Sequence, residues 1–151
     1  MDIKLKEVTI ENFRDVTKIQ IEKDQERYVP SSCFLIAESK FHPNHQARAI
    51  YFEDTVVGLV LFQTGEGDFE PHECGIFGFM IDKRYQNKGI GKVALQLLLK
   101  EIEAIGQFTW IELSCDPENE QANSVYRKNG MLPTHWKDNG DIVFSIEKQI
   151  E

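Results

Sequence analysis

Residues 76–106 read IFGFMIDKRYQNKGIGKVALQLLLKEIEAIG. The stretch opens as a strand, CGIFGFMID from Cys74 to Asp82, whose Gly75 and Gly78 suggest a bulge or the close approach of a ligand. A polar loop follows, ending in Gly89 and Gly91, one residue apart. From there the period becomes helical: Ile90, Val93, Ala94, Leu97, Leu98, Ile102 and Ile105 form one apolar stripe, and Gly106 stops it. The unit is strand, glycine loop, long amphipathic helix.

Such a loop has few uses. A helix N-terminus offers backbone N–H groups and the positive end of a dipole to an anion, and glycine lets the anion come close. Gln86, Asn87, Lys88 and Lys92 add donors and charge. A Walker A loop needs Ser or Thr after its lysine, but Val93 follows Lys92. Gly89-Ile90-Gly91-Lys92-Val93-Ala94, with Glu112 further on, fits the spacing of a dinucleotide fingerprint. Against that, KRYQNK separates the glycines from the strand, and the chain before Gly75 is a meander rather than a parallel repeat. An ordinary tight turn before a core helix remains open on the loop alone.

Outward from this unit the other elements fall into order. IKLKEVTI, residues 3–10, alternates as a half-buried strand. TIENFRDVTKIQI keeps a helical period through Phe13, Val16 and Ile19, with Thr9 as a cap. Pro30 breaks the chain, Ser31 or Ser32 caps, and Phe34 to Ala37 form a second short helix. Strands at about 47–52 and 55–63 make a hairpin over Glu53-Asp54, and EGDFEPHE (66–73) is a polar loop. After the long helix come a strand in FTWIELSC, a short helix in EQANSVYRKN with Ala122, Val125 and Tyr126 on one face, and a strand in DIVFSIEK. That last strand pairs with a shorter one near Thr134–Trp136. The order β-α-α-β-β-β-α-β-α-β-β predicts one α/β (α+β) domain over residues 1–151, with a mostly antiparallel sheet and a β-α-β crossover.

Charge and composition narrow the partners. The formal net charge of −8 argues against nucleic acid and suits a cationic small substrate. Cys33, Cys74 and Cys115 are far apart and form no CxxC, so neither a disulfide framework nor a zinc site is expected, and a reducing cytoplasm fits. The N-terminus has no signal-peptide core, and no apolar run is long enough to span a bilayer. His42 and His45 are spaced i, i+3, but Pro43 breaks the helix that would align them on a metal, so no metal is expected.

Two linked patterns carry a resemblance. Gln86-x-x-Gly89-x-Gly91, after a strand ending Phe79-Met80-Ile81-Asp82, resembles the acetyl-CoA signature of the GCN5-related N-acetyltransferases. NEQANSVYRKNGM, with Asn119, Ala122, Tyr126 and Gly130, resembles that family's second signature, in the right order and spacing. The similarity covers about residues 3–148 and is strongest from 76 to 131. Met131 departs from the usual Phe at an apolar position. The resemblance implies the family fold, a mixed and mostly antiparallel sheet of six to seven strands flanked by about four helices. It implies acetyl-CoA as cofactor, with the pyrophosphate on Gln86 to Lys92, Ile90 included, and the pantetheine arm beside Phe79, Met80 and Ile81 where strands splay. Asn119 and Asn123 would be further contacts, and Tyr126 would protonate the departing thiolate. A homodimer is implied by resemblance alone.

The proton acceptor is not legible. GIFGFM holds no acid, Glu73 precedes it, and Glu112 lies between Ile111 and Leu113 on the next strand, where a solvated surface residue is expected. A water chain serves equally. Cys115 has no His beside it in sequence and reads as a small buried residue. The acceptor segment is expected at Glu22–Ser39, where Glu22, Asp24, Glu26 and Glu38 suit a polyamine. Gln25, Tyr28-Val29 and Ala37-Glu38 resemble the spermine/spermidine acetyltransferase branch of Gram-positive bacteria. Other amines, amino-sugars and protein N-termini stay open, as does an acyl-CoA sensor without turnover.

Overall fold

The N-terminal alternation forms β1 (Ile3–Glu7), which ends at Glu7 rather than Ile10. The chain turns there because Thr9 N–H donates to Asn12 Oδ1 at 2.8 Å, while Thr9 O accepts from Asn12 N and Phe13 N. Thr9 is therefore not the helix cap. Asn12 stands at the N-cap of α1 (Phe13–Thr17), and its side chain serves Thr9, Glu7 O and Tyr51 Oη instead of the helix. The structure, a computed structural model, describes residues 1–65 and 69–148. Residues 66–68 of the expected polar loop lie outside the described residues.

The second helix, α2 (Ser32–Ser39), is longer than Phe34–Ala37 and starts on Ser31, whose side chain accepts from Phe34 N. β2 (His45–Phe52) and β3 (Thr55–Thr64) form the expected hairpin, with Glu53 at φ 55° in the turn. β4 (Glu73–Ile81) follows, then α3 (Ile90–Ile105), β5 (Trp110–Cys115), α4 (Glu120–Lys128), β6 (Leu132–Asp138) and β7 (Asp141–Glu147). The strand expected at Thr134–Trp136 thus grows at both ends.

The seven strands make one sheet in the order β1-β2-β3-β4-β5-β7-β6. Among the described residues only the β4–β5 pair is parallel, and α3 is its crossover. β3 is apolar nearly throughout because both its faces are covered: Val60 and Phe62 join the core under α3, while Leu59 and Leu61 join the core under α1 and α2. Each such fully buried side chain stabilises the fold by about 2 kcal/mol. On α3 the buried face is Ile90, Ala94, Leu95, Leu98, Leu99 and Ile102. The stripe is rotated from the one expected: Leu95 and Leu99 replace Ile105, which is 49 % exposed. Val93 and Leu97 pack at its margin.

Candidate active site

The site begins with a defect in the sheet. β4 and β5 pair only at Glu73–Trp110, Cys74–Ile111 and Gly75–Glu112. Beyond that step β5 pairs with β7 alone, so β4 from Ile76 to Ile81 has a partner on one edge only, β3. The β3–β4 register also slips between Leu59 and Leu61, opposite Gly78 at φ 63°. A Cβ there would lie 2.9 Å from methyls of both Leu35 and Leu61, so the bulge depends on glycine. The parted strands leave a wedge with backbone groups of β4 open along it.

Above the wedge stands the start of α3. Asn87 (φ 62°) and Gly89 (φ 82°) are both left-handed and curl the loop into the helix. Asp82 holds the loop's base: at 2 % exposure its carboxylate accepts from Gln20 N, Arg84 N and the Arg84 guanidinium. Burial pushes the Asp82 carboxyl up, but those hydrogen bonds and the Arg84 charge outweigh it and leave it below the usual carboxylate range. α3 itself has no side-chain cap, and the first of its N–H groups taken by backbone is Val93, by Gly89 O at 3.3 Å. The N–H groups of Ile90, Gly91 and Lys92 are the unmet first turn.

That turn opens on a cavity of about 470 Å³. Gln86, Asn87, Gly89, Ile90, Gly91 and Lys92 line one wall. Phe79, Met80 and Ile81 on the open edge of β4 line another, and Asn119 and Tyr126 a third. The structure thus gathers most of the residues expected to hold the cofactor. A Cβ on Gly91 would meet Phe79 and Ile81 only at ordinary contact distance, 3.8–4.0 Å, so the glycine is not there to relieve a clash. Its lack of a side chain leaves the N–H groups accessible. With Lys92 and Lys128 on the same cavity, and no carboxylate among its lining residues, the donor set fits the pyrophosphate of a coenzyme A group.

Two expected residues lie elsewhere. Lys88 sits with its ammonium 5.6 Å from the centre of the Tyr85 ring. Asn123 spends its amide within the fold, donating to Asn119 O at 2.8 Å and to Asp116 O and Cys115 Sγ at 3.3 Å. It ties α4 to the end of β5. Asn119 also caps α4, accepting from Ala122 N. Gln25, Gln121, Ser124 and Lys128 were not singled out as cavity residues, yet all line it. For the last three a signal existed: 121, 124 and 128 repeat at helical spacing, on one face of α4.

Tyr126 is nearly buried, its ring between Phe79 (centroids 6.5 Å apart) and Phe144 (5.7 Å). Burial, then the neighbouring Cys115, pushes its phenol above the ordinary range, so it stays protonated at any physiological pH. The buried Cys115 thiol is itself pushed up to about 12, which leaves it a protonated packing group.

The candidate acids stand apart from this cavity. Glu22, Asp24 and Glu26 are exposed on the 3-10 turn Lys23–Gln25 and its ends, and Glu38 is half-buried on α2 near His45. Glu73 and Glu112 line a second cavity of about 800 Å³, with Trp110, Trp136 and Glu147. Glu112 is not the solvated residue expected: it is half-buried, and burial, then Glu73 and Asp138, push its carboxyl up. His42 and His45 stack ring on ring at 4.5 Å, and no group of three or more metal-ligating side chains occurs among the described residues. No helix among those residues is long and apolar enough to cross a membrane.

Comparison with known proteins agrees with this geometry. The acetyltransferase (GNAT) family model matches residues 10–131. The spermine/spermidine N(1)-acetyltransferase of Bacillus subtilis (strain 168) is 27 % identical over 151 residues, 98 % of this chain and 96 % of that protein. A structure of the acetyltransferase AAC(6')-Ib with ribostamycin and coenzyme A superposes with a TM-score of 0.82 at 14 % identity, covering 99 % of this chain and 96 % of that one. The PaiA N-acetyltransferase of Thermoplasma acidophilum, in complex with coenzyme A, superposes at 0.72 with 17 % identity, covering 98 % and 100 %. At those identities the superpositions establish the fold. With the parted β4 and β5, the uncapped glycine turn and a family match over most of its length, this chain belongs to the GNAT family of acetyl-CoA-dependent N-acetyltransferases.

Proposed function

We propose that this protein acetylates a primary amine of spermidine or spermine by direct transfer within a ternary complex. The observation that carries the reading is the juxtaposition of the uncapped first turn of α3, the open edge of β4 and the buried Tyr126 phenol on one 470 Å³ cavity. Acetyl-CoA supplies an acyl group on a thiol leaving group. The first turn of α3 with Lys92 and Lys128 binds its phosphates. The one-sided edge of β4 orients the arm and offers N–H groups to a carbonyl. Tyr126 keeps its proton and can give it to sulfur.

The choice of a polyamine rests on the acceptor side. The Bacillus subtilis spermine/spermidine N(1)-acetyltransferase aligns with this chain along nearly its whole length. The turn that brings Gln25 to the cavity carries the exposed carboxylates Glu22, Asp24 and Glu26, whose negative charge suits a polycationic amine. A second reading, an acyl-CoA-binding protein without turnover, has one observation in its favour: no carboxylate or imidazole lines the cavity to take the amine's proton.

Thiol release from acetyl-CoA decides between them. With spermidine, spermine and a panel of amino-sugars, amino acids and peptides as acceptors, release is expected with the polyamines first. Release with another class replaces the substrate, and thermal stabilisation by coenzyme A without release from any amine supports the second reading.

A further inference from the structure

Between α1 and α2 the chain is stitched to the cofactor loop. Gln20 N donates to Asp82 Oδ2 at 3.1 Å, and Lys83 N donates to Gln20 O at 2.7 Å. Further along, Arg27 pairs with Glu118, just before α4, at 3.2 Å. Between these ties sits Gln25, on the cavity wall.

Gln25 uses every hydrogen-bond position its amide has. Its Oε1 accepts from Glu22 N at 3.0 Å and from Gln86 Nε2 at 2.9 Å. Its Nε2 donates to Gln86 Oε1 at 3.0 Å and to Gln121 Oε1 at 3.4 Å. The Glu22 N–H fixes which end of the amide is oxygen, and the capping box it forms shapes the 3-10 turn. Gln86 gives its second hydrogen to Ile81 O, the last residue of β4, at 2.8 Å. Gln121 in turn donates to Asn87 Oδ1 at 3.2 Å. One amide therefore joins the turn bearing Glu22, Asp24 and Glu26 to the end of β4, to the glycine loop and to α4.

The Gln20 ties hold the base of the loop at Asp82 and Lys83, whereas a ligand that orders Gln86 acts on the turn Lys23–Gln25 directly through this amide, because the reciprocal Gln25–Gln86 pair leaves Gln25 no spare position. We infer that Gln25 is the positioning residue that couples the cofactor loop to the acceptor segment, so that filling the loop orders Lys23–Arg27 and raises affinity for the amine. The coupling follows from the hydrogen bonds, and the identity of the amine rests on the proposed function.

The test reads the two separately. Hydrogen exchange of residues 22–28 is followed with and without coenzyme A, no amine present, in the wild type, Gln25→Ala and Gln25→Glu. Coenzyme A should slow exchange about tenfold in the wild type and leave it unchanged in both variants. Gln25→Glu keeps the length and the acceptor but cannot donate to Gln86 or Gln121, so it carries the test if Gln25→Ala is poorly folded. Spermidine affinity is then measured with and without coenzyme A: the ratio, about tenfold in the wild type, should fall to near one in the variants. In steady state the KM for spermidine should rise about tenfold while kcat stays within about threefold. A merely structural role would lower thermal stability and leave the ratio intact.

Protection that persists in both variants, or none in the wild type, overturns the coupling. Protection lost in the variants, in a protein that releases no thiol with any polyamine, upholds the coupling and overturns the polyamine reading. Polyamine turnover with unchanged protection in the variants does the reverse.

Discussion

α2 and α4 begin on a side chain that takes a backbone N–H, Ser31 Oγ from Phe34 at 3.2 Å and Asn119 Oδ1 from Ala122 at 3.3 Å. α3, the longest helix at 16 residues, begins on Gly89 and has no such bond. A cap is worth about 1 kcal/mol, so its absence at α3 is a cost to the fold. The starts of α3 and α4 share one cavity, but Asn119 satisfies its own helix there, whereas α3 leaves its first N–H groups open to it. Ser31 is exposed at the surface, whereas the first turn of α3 faces the cavity beside Lys92 and Lys128. A capping oxygen there would stand where an anion is to sit. α1 also lacks a side-chain cap, its Asn12 being spent on Thr9, Glu7 and Tyr51. Of these two uncapped starts it is α3 that faces the cavity, where a bound ligand can make the loss good.

The strongest way to break this contrast is to supply α3 with an anion of its own. Gly91→Asp has room for its Cβ and introduces no strained φ. It should weaken coenzyme A binding about 100-fold or more, measured by calorimetry, with Tm held within about 3 °C because a first-turn carboxylate suits the helix. Unchanged affinity would remove the first turn of α3 from the binding site. Next in size is Tyr126→Phe on the capped helix α4. Turnover should fall about 100-fold with coenzyme A affinity unchanged. Since burial and Cys115 push the phenol up, no loss of kcat from Tyr126 deprotonation should appear below pH about 10.

Asp82 sharpens the contrast from the other side, since it caps the 3-10 turn that leads into the uncapped one. Asp82→Asn should cost about 2 kcal/mol at pH 7 in urea unfolding, mostly through lost hydrogen bonds, because Arg84 is exposed and its charge is screened. The native carboxyl is held below its unfolded value, so its contribution is present above pH about 4 and disappears as pH falls through the native value. The gap between wild type and variant should therefore narrow in acid. The smallest effect is expected at Ser31→Ala, a loss of about 1 kcal/mol with coenzyme A affinity unchanged. A change in affinity there would mean that helix capping and ligand binding are not separate in this molecule.

Local patterns told most about local features. The period of two in IKLKEVTI and the period near 3.6 after Gly89 each announced an element, because burial on one face leaves its spacing in the chain. The loop from Gln86 to Lys92 was legible for the same reason: glycines beside a helix start are a local statement about backbone access. Thr9 misled because any of several polar residues before Phe13 can take the cap, and Tyr51, 39 residues from Asn12, helped decide. The α3 stripe was misplaced because a helix that is apolar on more than half its circumference has no unique face until the sheet chooses one.

By itself the sequence determined the order of elements, the strand–glycine loop–helix unit, the second motif on α4 and hence the family, all carried by short-range spacing. The tertiary structure alone decided where β4 and β5 part, that Tyr126 lies between Phe79 and Phe144, that Glu112 is half-buried beside Glu73, and that Gln25 meets Gln86 across 61 residues of chain. Periodicity records that a side chain is covered, but what covers it depends on strand pairing and helix docking between distant segments, which leave no spacing to read.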